Sequence, residues 1–303
     1  MKQATVTYLF LGCLAMMLFS SCQRLDDQFF NPTFIKEGNY LLDAYTGETD
    51  FPLDTNYKIK NILQLVLPSR TKYETADKYI QGVYLGNYGR IDKDTVILYL
   101  HGNKGNIDFY WNRAKLLANV GGNSRYGVLI FDYRGFGRSN GVTNEASLYA
   151  DMEGALLWLK SRGMQGSRLI VYGFSMGSAP AVEACFRSRI LTPSKLILEA
   201  PIASAYALIE NSSKLNMPAS YFTDLQLNNA KKIKRVMQPM LWLHGEQDDF
   251  VSLENQGQLV YDNYKGQYKE KAIVAAAGHS NIPNTMGLEG YKKTILEFIT
   301  RRR

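Results

Sequence analysis

Between positions 168 and 186 the sequence passes from Arg168-Leu-Ile-Val-Tyr172 through Gly173-Phe-Ser-Met-Gly177 into Ser178-Ala-Pro-Ala-Val-Glu-Ala-Cys-Phe186. The β-branched and aromatic first part reads as a buried strand, and the last part as a helix packed on it. A strand that turns into a helix over so few residues bends sharply, and the positions around its apex must be tiny. Glycines stand there, at 173 and 177. The serine between them, Ser175, is pushed up into a cleft. A junction of this kind belongs to chains in which strands and helices alternate.

The rest of the sequence keeps that alternation. Residues 95–100 (TVILYL) form a continuous apolar run, the pattern of a strand buried on both faces. A helix is expected over 106–120, with Asn106 as N-cap, then a strand over 126–131. Residues 146–162 read as an amphipathic helix with Leu148, Met152, Ala155, Leu156 and Leu159 on one face. Later strands are expected at 195–199, 239–244 and 271–277, and a last helix at about 288–300. Residues 62–67 and 79–85 read as a leading hairpin pair. This order predicts a mostly parallel sheet covered by helices on both sides. At 303 residues with 46% apolar content, the chain has material for one large α/β domain or two small ones.

The ends read differently. Lys2 and the apolar stretch 8–19 have the form of a secretory signal, too short to span a bilayer. It closes on Phe19-Ser-Ser-Cys22, which resembles a bacterial lipoprotein signal. Cys22 is then the lipidated mature N-terminus, and the expected location is an exported one, anchored to a bacterial membrane on its periplasmic or cell-surface side. The division expected is signal 1–21, a polar tether 22–50 and a folded domain 51–303. Cys185, left after the signal is removed and Cys22 modified, reads as a core residue. The net charge of +7 owes part of its excess to Arg301, Arg302 and Arg303. No basic block interleaved with aromatics appears, which argues against nucleic-acid binding.

In an open parallel sheet, ligands bind beyond the C-terminal ends of the strands. Ser175 is there, followed in chain order by Asp248 and His279, the order used by hydrolases with a nucleophile elbow. A serine hydroxyl needs a base to take its proton, and the base needs a carboxylate to fix its tautomer. Of the chain's three histidines, His101 and His244 stand directly before glycine at strand ends and read as packed residues supporting a turn. His279 follows the last strand and is assigned as the base. Asp248 is the preferred acid, with Asp249 and Glu199 as alternatives. The oxyanion donors are assigned to the backbone N–H groups of Met176 and of Asn103, the latter in the loop His101-Gly-Asn-Lys-Gly-Asn106. No metal site is read.

These motifs, together with Phe131-Asp-Tyr-Arg-Gly-Phe-Gly-Arg-Ser139, Glu199-Ala-Pro201, His244-Gly-Glu-Gln-Asp248 and Gly278-His279, resemble those of the α/β-hydrolases. The likeness is to the compact serine hydrolases of the Bem46 and α/β-hydrolase-domain-13 type, from about residue 95 onward. The resemblance implies an α/β-hydrolase fold, an eight-stranded, mostly parallel sheet, and cofactor-free hydrolysis through an acyl-enzyme. It also implies that residues 132–139 shape a turn near the site. Before residue 90 the chain departs from the pattern, because residues 75–85 lack the usual Asp-Gly turn and Gly-Trp strand. The short segment 202–237 is expected to be a small cap ending in a basic helix over 228–237, with Tyr206, Met217, Tyr221 and Phe222 either as acyl-pocket walls or as packing of the cap on the sheet. The function expected is a membrane-anchored carboxylesterase on a small-molecule acyl ester. Peptidase or amidase, lipid or thioester hydrolase, and a non-catalytic binding lipoprotein are the alternatives.

Overall fold

The computed structural model describes residue 26 and residues 29–54, 56–187, 189–212 and 218–301. The expected signal peptide, Cys22 and Met217 lie outside the described residues. Eight strands form one sheet: β1 Ile62–Ser69, β2 Lys78–Leu85, β3 Val96–Leu100, β4 Gly127–Phe131, β5 Leu169–Phe174, β6 Lys195–Glu199, β7 Met240–Gly245 and β8 Lys269–Val274. Their spatial order is β8-β7-β6-β5-β3-β4-β2-β1. The leading hairpin β1–β2 and the pair β2–β4 are antiparallel, and every other pair is parallel. This is the α/β-hydrolase fold.

Helices cover both faces: α1 Ile107–Ala118, α2 Glu145–Ser161, α3 Ser178–Arg187, α4 Ala205–Ser212, α5 Asn229–Lys232, α6 Gln258–Asn263, α7 Ile282–Met286 and α8 Leu288–Thr300. Successive strand side chains point to opposite faces, so β3 feeds two cores. Val96, Leu98 and Leu100 join one with α2 and α3, while Ile97 and Tyr99 join the other with α1 and α8. The stripe Leu148, Met152, Ala155, Leu156 and Leu159 of α2 is buried in the first core, and Cys185 lies in it too. At the sheet edge β1 is covered on one side, and it alternates accordingly: Leu65 and Leu67 are buried while Val66 is exposed.

Two elements differ from the sequence reading. The strand expected over 271–277 ends at Val274, which pairs with Gly245, the last residue of β7. As an edge strand it has no other partner, and the chain turns through Ala276 at φ 59°. The basic helix expected over 228–237 is the short α5 followed by a 3₁₀ turn, Ile233–Arg235. Ile233 and Val236 are both fully buried; their spacing of three suits the tighter helix.

The described part of the expected tether, 26 and 29–50, is bonded to the domain at several points. Asn31–Pro32 pairs with Lys104–Gly105, Tyr40 is buried with its hydroxyl on Asp132 at 2.6 Å, and Asp50 is buried against Arg113. Its Asp- and Asn-rich composition reads as a linker, and most of its residues are exposed, but the buried Tyr40 and Asp50 anchor it to the domain. Among the described residues no helix is long and apolar enough to cross a membrane.

Candidate active site

Strand β3 has β4 on one side and β5 on the other, so the winding of the sheet reverses there. Such a reversal opens a crevice at the strand C-termini. The loop after β3 carries residues 101–106, and the turn after β5 carries Ser175.

Ser175 has φ +52° and begins the 3₁₀ turn Ser175–Gly177 that leads into α3. A non-glycine residue in this left-handed region costs about 1–2 kcal/mol, so close packing must hold it. A Cβ on Gly177 would stand 2.0 Å from the Leu100 carbonyl oxygen, and one on Gly173 would stand 2.6 Å from the Gly177 oxygen. Only glycine lets the turn press against the end of β3.

His279 Nε2 lies 2.9 Å from Ser175 Oγ, and His279 Nδ1 lies 2.8 Å from Asp248 Oδ2. The carboxylate accepts at Nδ1, which leaves the Nε2 lone pair facing the serine hydroxyl. Asp248 Oδ1 accepts the N–H groups of Phe250 (3.1 Å) and Val251 (2.7 Å). Burial pushes the Asp248 carboxyl up. Hydrogen bonds from His244 and His279, the His279 charge and the Val251 N–H outweigh it and hold the carboxyl well below its ordinary range. The His279 ring is flanked by Phe174 and Phe250, each with its centroid 5.1 Å away.

The other two histidines are fully buried. His244 donates from Nε2 to the Val251 carbonyl at 2.8 Å and accepts the Trp242 indole N–H at Nδ1 at 3.1 Å. His101 donates from Nδ1 to the Gly102 carbonyl at 2.8 Å, with its ring centroid 4.5 Å from that of Tyr133. The Tyr133 hydroxyl in turn donates to the His101 carbonyl at 3.1 Å, tying the 132–139 turn to this loop. Asn106 caps α1 through its side chain, which accepts the Asp108 N–H at 2.9 Å.

Of the three carboxylates left open by the sequence, Asp248 is the one bonded to His279. Asp249 is exposed. Glu199 is buried and engaged elsewhere. It accepts from Arg113 and from the hydroxyls of Tyr172 and Tyr291 (Tyr291 at 2.7 Å). Arg113 also donates to Asp50 at 2.8 Å and to the Ser280 carbonyl at 2.9 Å, next to His279. Its guanidinium lies 4.4 Å from the Phe174 ring centroid. Burial would lower the Arg113 pKa, but Glu199 and Asp50 hold it above its ordinary value. Burial pushes the Asp50 carboxyl up to about 6 despite Arg113.

A cavity of about 270 Å³ opens beside Ser175, lined by Asn31, Asn103, Phe174, Phe250 and His279 among others. Asn103 therefore faces the same space as Ser175, and the buried Met176 is the next residue of the turn. Tyr206, Tyr221 and Phe222 do not line this cavity. The walls that do, Phe174, Phe250 and Asn31, and the Arg113 support beneath, are absent from the sequence reading. Phe250 had a signal, since it lies two residues after Asp248 in the same loop. Among the described residues no group of three or more His, Cys, Asp or Glu side chains is arranged to hold a metal ion.

Residues 92–238 match the family described as Serine aminopeptidase, S33, a span that includes Ser175 and ends before Asp248 and His279. Human alpha/beta hydrolase domain-containing protein 17B is 27% identical over 187 residues, 61% of this chain and 60% of that protein. The chain thus spans about three fifths of that relative's length. YfhR of Escherichia coli is 28% identical over 206 residues, 67% of this chain and 69% of that protein. In structure, the chain is similar to the Pyrococcus furiosus esterase Pf2001, with a TM-score of 0.63 and 18% identity over 90% of this chain and 97% of that one. With its sheet order, its strand-to-helix turn at Ser175 and these relatives, the chain has the α/β-hydrolase fold and is similar to members of the α/β-hydrolase superfamily.

Proposed function

We propose that this chain is a serine hydrolase that cleaves a carboxylic ester through an acyl-enzyme. The observation that carries this reading is the hydrogen-bonded line from Asp248 through His279 to Ser175, at 2.8 and 2.9 Å. Ser175 Oγ attacks the ester carbonyl carbon while His279 Nε2 takes its proton, and the ionised Asp248 stabilises the imidazolium. The negative charge on the carbonyl oxygen meets the N–H groups of Met176 and Asn103. His279 then gives its proton to the leaving alkoxide, and an acyl-enzyme remains on Ser175. Water attacks that ester with His279 again as base, releasing acid and free serine. The compact type read from the motifs, that of Bem46 and α/β-hydrolase-domain-13, is part of this proposal.

Cleavage of an amide or peptide is the second reading, favoured by the aminopeptidase description of the family matched over Ser175. The same triad serves it when His279 protonates the leaving amine. The test is a turnover screen of the purified mature chain against esters of graded length, thioesters and aminoacyl amides. The expected result is ester hydrolysis that is lost in Ser175→Ala. Turnover of aminoacyl amides alone would favour the second reading, and folded protein that turns over none of the panel would point to a binding protein.

We also propose export and lipid anchoring through Cys22. Incorporation of labelled palmitate in a bacterial host, absent in Cys22→Ser, is the expected result; equal labelling of both would refute it.

A further inference from the structure

The segment before β1 crosses the site. Asp26 Oδ1 accepts the Asp224 N–H at 3.0 Å and the Thr223 hydroxyl, on the cap side. Five residues later the Asn31 N–H donates to Asn103, to its carbonyl at 3.2 Å and to its Oδ1 at 2.9 Å. Thr33 is held between two loops: its N–H donates to the Gly105 carbonyl at 2.9 Å, and its carbonyl accepts from Gly137 at 3.0 Å. Ile35 continues the pattern, donating to the Gly137 carbonyl at 2.7 Å.

We propose that residues 29–34 are a specificity element of the Ser175 site, in which Asn31 clamps Asn103 and walls one side of the cavity. The proposal rests on the reading of Ser175 as nucleophile and of the Asn103 N–H as an oxyanion donor. That N–H shares a peptide plane with the Gly102 carbonyl, which His101 holds at 2.8 Å. The next peptide plane is held by Asn31 through the Asn103 carbonyl. With both planes fixed, the Asn103 amide has a set direction, which an oxyanion donor needs before the reaction begins. Asn31 is therefore a positioning residue, acting through Asn103. It also lines the 270 Å³ cavity together with Ser175, Phe250 and His279. Because Asn31 is exposed, its side chain can be enlarged without disturbing the core, and a larger one narrows the space left for the acyl chain.

The test uses the full mature chain and two fluorophosphonates, one ethyl and one decyl. For each, the maximal rate of Ser175 modification and the half-saturating concentration are measured. Asn31→Pro removes the donated N–H and lowers the maximal rate about tenfold for both probes, with half-saturation unchanged. Asn31→Trp keeps the N–H and raises half-saturation for the decyl probe about tenfold more than for the ethyl probe. Thermal melting checks each variant, and Asn31→Trp carries the test alone if Asn31→Pro melts early. Wild-type labelling with both constants unchanged in the variants overturns the proposal alone. A folded wild type whose Ser175 takes neither probe overturns the catalytic reading, and this proposal with it.

Discussion

The three histidines sit at or after strand ends, and their partners separate them. His279 has its Nε2 lone pair aimed at Ser175, whereas His101 and His244 spend a ring N–H on a neighbouring carbonyl. His279→Ala is therefore expected to abolish turnover with melting close to wild type. His244→Ala should take the bonds to His244 from the Trp242 indole N–H and the Val251 carbonyl, destabilising the chain by about 1–3 kcal/mol. Loss of activity in a stable His244→Ala alone would exchange the two roles. Asp248 offers a pH test. Its folded carboxyl is held well below the ordinary 3.8, so its stabilisation is present above about pH 4 and lost as pH falls further. The melting difference between wild type and Asp248→Asn should be largest near neutrality and close below about pH 4, while kcat falls about 10³–10⁴-fold. A difference independent of pH would contradict the charged pairing. Ser175, Asp248 and His279 could be picked out of the sequence because each lies just beyond an apolar run. Arg113 could not. Its carboxylate partners Asp50 and Glu199 lie 63 and 86 residues away, and no periodicity joins them.

At the scale of the element, the strand-to-helix turn is legible because its glycines are steric necessities. Gly177→Ala would place a methyl 2.0 Å from the Leu100 oxygen and push the turn off the end of β3. Loss of activity and a destabilisation of about 1–3 kcal/mol are expected, measured by denaturant unfolding beside turnover; a stable, active Gly177→Ala would show that the turn has slack. The buried strands were also readable, since covering on both faces demands unbroken apolar runs. The end of β8 was not, because the alanines that close the run suit a strand as well as the turn they form. Residues 31–50 escaped for a related reason. They are held by backbone hydrogen bonds and by single anchors such as Tyr40, which leave no repeating pattern in a polar composition.

Across the whole molecule, Arg113 joins the N-terminal segment at Asp50, the sheet at Glu199 and the His279 loop at Ser280. Removing one partner from a buried ionic cluster leaves charge without compensation. Arg113→Met is expected to destabilise the chain by about 3–5 kcal/mol and to reduce activity by loosening the Ser280 carbonyl. Calorimetry and turnover on the same preparation would check both, and unchanged melting would remove the cluster from the account. The central claim is that the turn after β5 carries an activated nucleophile. Its most direct test is site-mapped fluorophosphonate labelling of wild type, Ser175→Ala and His279→Ala. The prediction is stoichiometric modification of the wild type at Ser175, none in Ser175→Ala, and labelling slowed at least 100-fold in His279→Ala. Modification at another residue, or equal labelling of wild type and His279→Ala, would contradict it.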